Sequence, residues 1–214
     1  MSLEVDVRKL EIFNRVSKEG SRRVAESLSQ MSGLDAEIKV AKINLLHIDD
    51  VKTHLGDDEA VGIHVELTES PYGYVLFMLD PIDSKRLAQS MVPESATSDT
   101  GFSDMERSAI QEIGNIMTSG YIDGWANVLE TTINMGTPSF SYGPSHEIIE
   151  KMGGWPDEEI VFVLDSEITT GDADVDLTVY TFPQVKDLVE LVQQIDVGTD
   201  VKADSVADES ITNN

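Results

Sequence analysis

The chain has no cysteine, which excludes disulfides, zinc-thiolate sites and thiol nucleophiles. Basic residues are scarce: 15 Lys and Arg stand against 40 Asp and Glu, for a formal net charge of -25. Such a surface repels polyanions, so neither nucleic acid binding nor membrane insertion is expected. The four histidines, His47, His54, His64 and His146, show no HxH or HExxH spacing, so no metal or cofactor of the protein's own is expected. The longest apolar run, Tyr74 to Leu79, is too short to span a bilayer, and no basic-then-apolar leader opens the chain. GxSxG and GxxxxGK[ST] are both missing, which argues against esterase and P-loop chemistry. What is present is 40% hydrophobic residues in a 214-residue chain, ample for a packed core. The acidity is spread along the whole length, as suits a surface kept hydrated in concentrated salt, where charges are screened within about 3 Å at 1 M. A soluble protein of a halophilic cytoplasm is expected.

Offset by about 100 residues, the sequence repeats one order of elements. Each half opens with a long amphipathic helix, roughly Asp6 to Ser32 and Ser103 to Leu129. A first strand follows, Glu37 to Ile48 and Thr132 to Tyr142, then a short turn-forming or helical piece ending at glycine, Val51 to Gly56 and Ile148 to Gly153. Two strands come next, Ala60 to Thr68 and Tyr72 to Asp80 in the first half, Glu159 to Ile168 and Asp174 to Phe182 in the second. Short connections rich in turn formers predict antiparallel hairpins. A proline is expected to open a closing helix in both copies, Pro81 to Met91 and Pro183 to Ile195. The fold class predicted is α+β: a pseudo-twofold duplicated unit with a six-stranded, mainly antiparallel sheet covered by two long helices. Residues 1–195 form one domain of two repeats, about 6–92 and 103–195, joined by a polar linker at Pro93 to Gly101. An acidic disordered tail is expected over 196–214.

The second long helix carries SAIQEIGN, Ser108 to Asn115. At about 100° per residue, Ser108, Glu112 and Asn115 fall within about 60° of one another, opposite an apolar stripe of Ile110, Ile113, Met117, Tyr121 and Val128. Core packing does not explain that polar row. The first helix carries EIFN, with Glu11 and Asn14 at the same spacing, 101 positions before Glu112 and Asn115. Its opposing stripe contains Ile12, Phe13, Val16, Gly20, Val24 and Met31.

An Asp/Ser-x-x-x-Glu-x-x-Asn pattern on two pseudo-symmetric helices over a shared sheet resembles the CheC, FliY and CheX phosphatases of bacterial and archaeal chemotaxis. Ser108, Glu112 and Asn115 match it fully, the element order agrees over about residues 6 to 195, and the likeness is greatest to the CheC branch. The resemblance implies dephosphorylation of the aspartyl phosphate of the response regulator CheY, a hydrolase activity. Catalytic roles then fall to Glu112 and Asn115, with Glu11 and Asn14 in the first copy. An acyl phosphate is already activated, and the receiver domain brings its own Mg²⁺ and lysine, so the enzyme has only to place a water in line. Asn115 would orient that water through its neutral amide. Glu112 would dock on a receiver lysine, and Ser108 would hydrogen-bond at the rim.

The first copy departs from the pattern: Val7 replaces Ser or Asp, Phe13 replaces glycine, and Arg15 follows Asn14. Arg15, Lys18 and Arg22 form a basic stripe along the Glu11 row. Two readings stand: a solvated face neutralised by intrahelical ion pairs such as Glu11 with Arg15, or a patch that draws in an acidic receiver. The second copy is expected to be the more competent. The alternative function is a non-catalytic adaptor binding phosphorylated CheY or CheD, with surfaces on the closing helices, where Leu188, Val189, Leu191 and Val192 form an apolar face broader than a core stripe requires, most of it explained by covering the sheet.

Overall fold

The computed structural model describes residues 10–33, 35–92, 101–152, 160–170 and 175–195. The first repeat contributes α1 (Leu10–Ser32), β1 (Ala36–His47), α2 (Ile48–Leu55), β2 (Glu59–Leu67), β3 (Gly73–Leu79) and α3 (Pro81–Met91). The second contributes α4 (Asp104–Leu129), β4 (Ser139–Pro144), α5 (Ser145–Met152), β5 (Ile160–Thr170), β6 (Val175–Pro183) and α6 (Val185–Gln194). The expected duplication of element order is present. The first helical turn expected from Asp6, together with Val7, residues 93–100 of the linker and the 196–214 tail, lies outside the described residues.

All six strands join one antiparallel sheet in the order β1-β5-β6-β3-β2-β4. The two hairpins, β2–β3 and β5–β6, meet at the centre through β3 and β6. Each repeat's first strand crosses over to the other repeat's hairpin: β1 pairs with β5, and β4 pairs with β2. Neither half therefore has a sheet of its own, and the long helices are fixed relative to each other by a shared ladder.

One face of the sheet is covered by α1 and α4, the other in part by α2 and α5. Val61, Ile63, Leu67, Val75, Phe77, Val179 and Ile168 pack under the long helices, while Leu76, Met78, Val163 and Phe182 pack with Val51, Ile148, Ile149 and Met152 on the opposite side. Cover on both faces is why β3 reads as an unbroken apolar run instead of an alternation. The long helices run antiparallel: Gly124 meets Glu19 and Gly20, whereas Gly120, one turn earlier, meets Arg23 and Ser27. A methyl group at Gly124 would lie 2.9 Å from the Glu19 carbonyl oxygen and 3.0 Å from Gly20 Cα. Glycine there lets the two backbones touch.

Two expectations need correction. Pro81 does begin α3, with Asp80 as N-cap accepting from the Ile82 N–H at 2.7 Å. Pro183 does not begin α6; it ends β6 opposite Gly73, and the helix starts at Val185 without a side-chain cap. The strand expected over Thr132 to Tyr142 is ordered as β4 only from Ser139, because Gly136 and Pro138 interrupt it. The apolar face of α6 is not a free docking surface: Leu188, Val189 and Val192 are buried, and Leu191 packs against the core. Among the described residues no helix is long and apolar enough to cross a membrane.

Candidate functional site

The start of α4 is set by a reciprocal cap. Ser103 N donates to Glu106 Oε2 at 2.7 Å, and the Glu106 N–H donates to Ser103 Oγ at 3.2 Å, the Ser-x-x-Glu arrangement that satisfies two orphan donors at once. Beneath this first turn, Phe102 meets Phe140 and Tyr142 edge-on, with ring centroids 5.6 and 5.2 Å apart. Arg107 lies over the Phe140 ring at 5.4 Å. Further along, Ile110, Ile113, Met117 and Tyr121 are fully buried. The rotation of α4 is thus fixed by its apolar face, and the opposite face is left to solvent.

Ser108, Glu112 and Asn115 are all exposed on that outer face. They line one shallow cavity of about 330 Å³ with Gln111, Thr137 and Pro138. Among the described residues no hydrogen bond or ion pair holds the Glu112 carboxylate or the Asn115 amide. Ser119 Oγ donates to the Asn115 backbone carbonyl at 2.9 Å and leaves the side chain unengaged. Both functional groups face outward, available to a docking macromolecule. Gly114, between them in sequence, is buried against the sheet: a methyl group there would lie 2.5 Å from Ile63 Cγ2. The glycine of EIGN is therefore a packing residue that brings α4 down onto β2.

Gln111, Thr137 and Pro138 were not singled out from sequence. Thr137 is 22 positions from Asn115, and only the fold brings it across from the row. The Gly136-x-Pro138 break inside an expected strand was the readable signal that regular strand pairing is interrupted there.

On α1, Glu11 and Asn14 are also exposed, as are Arg15 and Lys18. A cavity of about 390 Å³ lies beside them, lined by Arg15, Lys18, Glu19, Arg22, Asn127 and Val128. Glu11 and Asn14 are not in that lining. The stripe divides in two. Arg22 is neutralised, donating through Nε to Glu19 Oε2 at 2.9 Å and pairing with Glu26, while Arg23 Nε reaches Glu19 at 3.3 Å. The Arg22 hydrogen bond holds the Glu19 carboxyl below its usual range, and the same bond pushes the Arg22 guanidinium up. Arg15 and Lys18, by contrast, have no carboxylate partner among the described residues, and the expected Glu11–Arg15 pair is not formed. The two rows sit on antiparallel helices on opposite sides of the Gly20–Gly124 crossing, which at 1.5 Å rise per residue separates the two asparagines by about 22 Å and the two glutamates by about 32 Å along the helix axes.

The CheC-like family model matches residues 105–142, from the first turn of α4 through the segment carrying Thr137 into β4. A relative from Halobacterium salinarum, named "Putative CheY-P phosphatase CheC1", is 40% identical over 195 residues, 91% of this chain and 100% of its own. Among solved structures, Thermotoga maritima FliY superposes with a TM-score of 0.69 at 19% identity, over 88% of this chain and 96% of that one. FliM in the FliM-SpeE complex of H. pylori gives 0.68 at 11% identity, over 91% and 100%. CheX from Desulfovibrio desulfuricans gives 0.53 at 13% identity, over 79% and 99%. At these identities the structural likenesses establish the shared α+β fold. The full-length match at 40% identity establishes more: the chain belongs to the CheC-like family.

Proposed function

We propose that the protein dephosphorylates the aspartyl phosphate of a CheY-type response regulator, using the α4 row. The observation that carries this reading is the exposed, unengaged pair of Glu112 and Asn115, one helical turn apart on a helix whose rotation is locked from below. A neutral amide can enter an anionic phosphoaspartate pocket without repulsion, accept a hydrogen bond from a water with its carbonyl oxygen and donate with its NH₂. Holding the water in line with the P–O bond converts its attack into a near-unimolecular step. Phosphorus–oxygen cleavage then returns the receiver's aspartate and releases inorganic phosphate. The Mg²⁺ that neutralises charge on the transferring group belongs to the receiver. Glu112 anchors the docking through a receiver cation, and Ser108 hydrogen-bonds one turn further out. Ser108 is not a nucleophile in this scheme: among the described residues no hydrogen bond joins its hydroxyl to Glu112, the carboxylate of the cavity lining, as an activated serine would need.

Arg15 and Lys18 supply the electrostatic half of the reading. Among the described residues they have no carboxylate partner, in a protein of net charge -25, and they reduce the long-range repulsion that two acidic proteins otherwise meet. The test is to phosphorylate a chemotaxis response regulator on its aspartate, add the protein, and follow phosphate loss. Acceleration that disappears in Asn115→Ala supports hydrolysis at the α4 row. Binding without acceleration means that the chain is an adaptor for phosphorylated CheY.

A further inference from the structure

The two repeats differ in how the long helix reaches the first strand. β1 begins four positions after α1 ends, whereas β4 begins ten positions after α4 ends. The longer connection is built into the molecule. It leaves the helix through Glu130 in the left-handed conformation, φ 52°, with the Glu130 N–H on the Ala126 carbonyl. Ile133 is then buried, and Met135 packs against the core. The chain next runs beside the end of β2: the Thr68 N–H donates to the Asn134 carbonyl at 2.9 Å, and the Gly136 N–H to the Glu66 carbonyl at 2.8 Å. Two residues beyond Pro138, Phe140 stacks edge-on to Phe102 under the first turn of α4. Between these anchors stand Thr137 and Pro138, forming the wall of the cavity that faces Ser108, Glu112 and Asn115.

Proline fixes its own φ and holds the preceding residue extended, so Thr137 is presented on a backbone with little freedom. It is exposed, and its hydroxyl can both donate and accept.

We propose that Thr137 is a substrate-contact residue of this site, hydrogen-bonding the rim of the receiver domain that docks on the α4 row and setting affinity for it, while Asn115 sets the rate. The inference rests on the phosphatase reading above. It also gives a reason why the second repeat is expected to be the more competent: β1 begins only four positions after α1, so the first repeat lacks a connection of the length that carries Thr137 and Pro138.

Thr137→Val removes the hydroxyl and keeps the branched shape, and Thr137→Ser keeps the hydroxyl. With phosphorylated regulator as substrate, Thr137→Val is expected to raise KM about three- to tenfold at unchanged kcat, the loss of one interfacial hydrogen bond. Thr137→Ser is expected to stay near wild type. Matching thermal transitions would exclude a folding effect. If Asn115→Ala abolishes turnover but Thr137→Val leaves KM unchanged, or lowers kcat instead, the contact proposal is wrong and the phosphatase reading stands. If Asn115→Ala is without effect, the phosphatase reading fails and takes the Thr137 role with it.

Discussion

The two long helices carry the same Glu-x-x-Asn at positions 101 apart, yet almost everything around the two rows differs. Below the second row, Gly114 lets α4 rest on Ile63; at the equivalent place in α1, the buried Phe13 ring fills that space. Next to Asn115 and one turn on stand Ile116 and Ser119; next to Asn14 stand Arg15 and Lys18. The second row faces the Thr137–Pro138 wall, whereas the cavity beside the first row has Arg15, Lys18 and the Arg22–Glu19 pair in its lining, without Glu11 and Asn14. Even at the helix crossing the copies are complementary, not alike: a methyl group at Gly20 would lie 2.7 Å from the ring of Tyr121, its counterpart in the other repeat. Duplication has kept two residue types in register while their neighbours diverged, one row toward a walled site without cations and the other toward a surface that carries Arg15 and Lys18.

That contrast can be broken or sharpened by substitution. The largest effect is expected from Asn115→Ala, about a 10²-fold loss of phosphatase turnover, the usual cost of one preorganised transition-state contact. Next comes the crossing that holds the rows apart. Gly124→Ala forces a methyl group against the Glu19 and Gly20 backbone, where no side chain can give way, and is expected to destabilise the fold by about 2 to 3 kcal/mol in a denaturant titration. Arg15→Glu is expected to slow regulator association about tenfold at low salt, an effect that fades as the screening length falls toward about 3 Å at 1 M. An association rate for this variant equal to that of wild type at low salt would remove the steering role. The smallest effect is expected from Asn14→Ala, about threefold or less in turnover. Equal losses at Asn14 and Asn115 would show that the differences between the repeats do not matter.

Local chemistry made much of this legible in the sequence. Asp80-Pro81 marks the start of α3, and Ser103-x-x-Glu106 marks α4, because each cap is completed within one turn of chain. The polar row stood out because three polar side chains interrupt no packing on the opposite face. What escaped was long-range. Pro183 looked like a helix start but is held at the end of β6 by Gly73, whose φ of 144° and missing side chain allow the Phe182 carbonyl to approach. The exchange of β1 and β4 between hairpins has no local signature, since strand pattern specifies a buried face and not a partner. Thr137 likewise joins the row only because residues 134 to 136 are tied to β2. The fate of the basic stripe depended on rotamers: Glu19 and Glu26 take Arg22 and leave Arg15 and Lys18 unpaired by described residues.

The neutral amide at position 115 is the centre of the account, and Asn115→Asp probes it with almost no change in shape. Phosphate loss from a prephosphorylated regulator, measured with wild type and Asn115→Asp side by side, is expected to fall about 10²-fold, because a carboxylate repels the phosphoryl group and lacks the NH₂ donor. Wild-type turnover in Asn115→Asp, with the regulator still bound, would contradict the account.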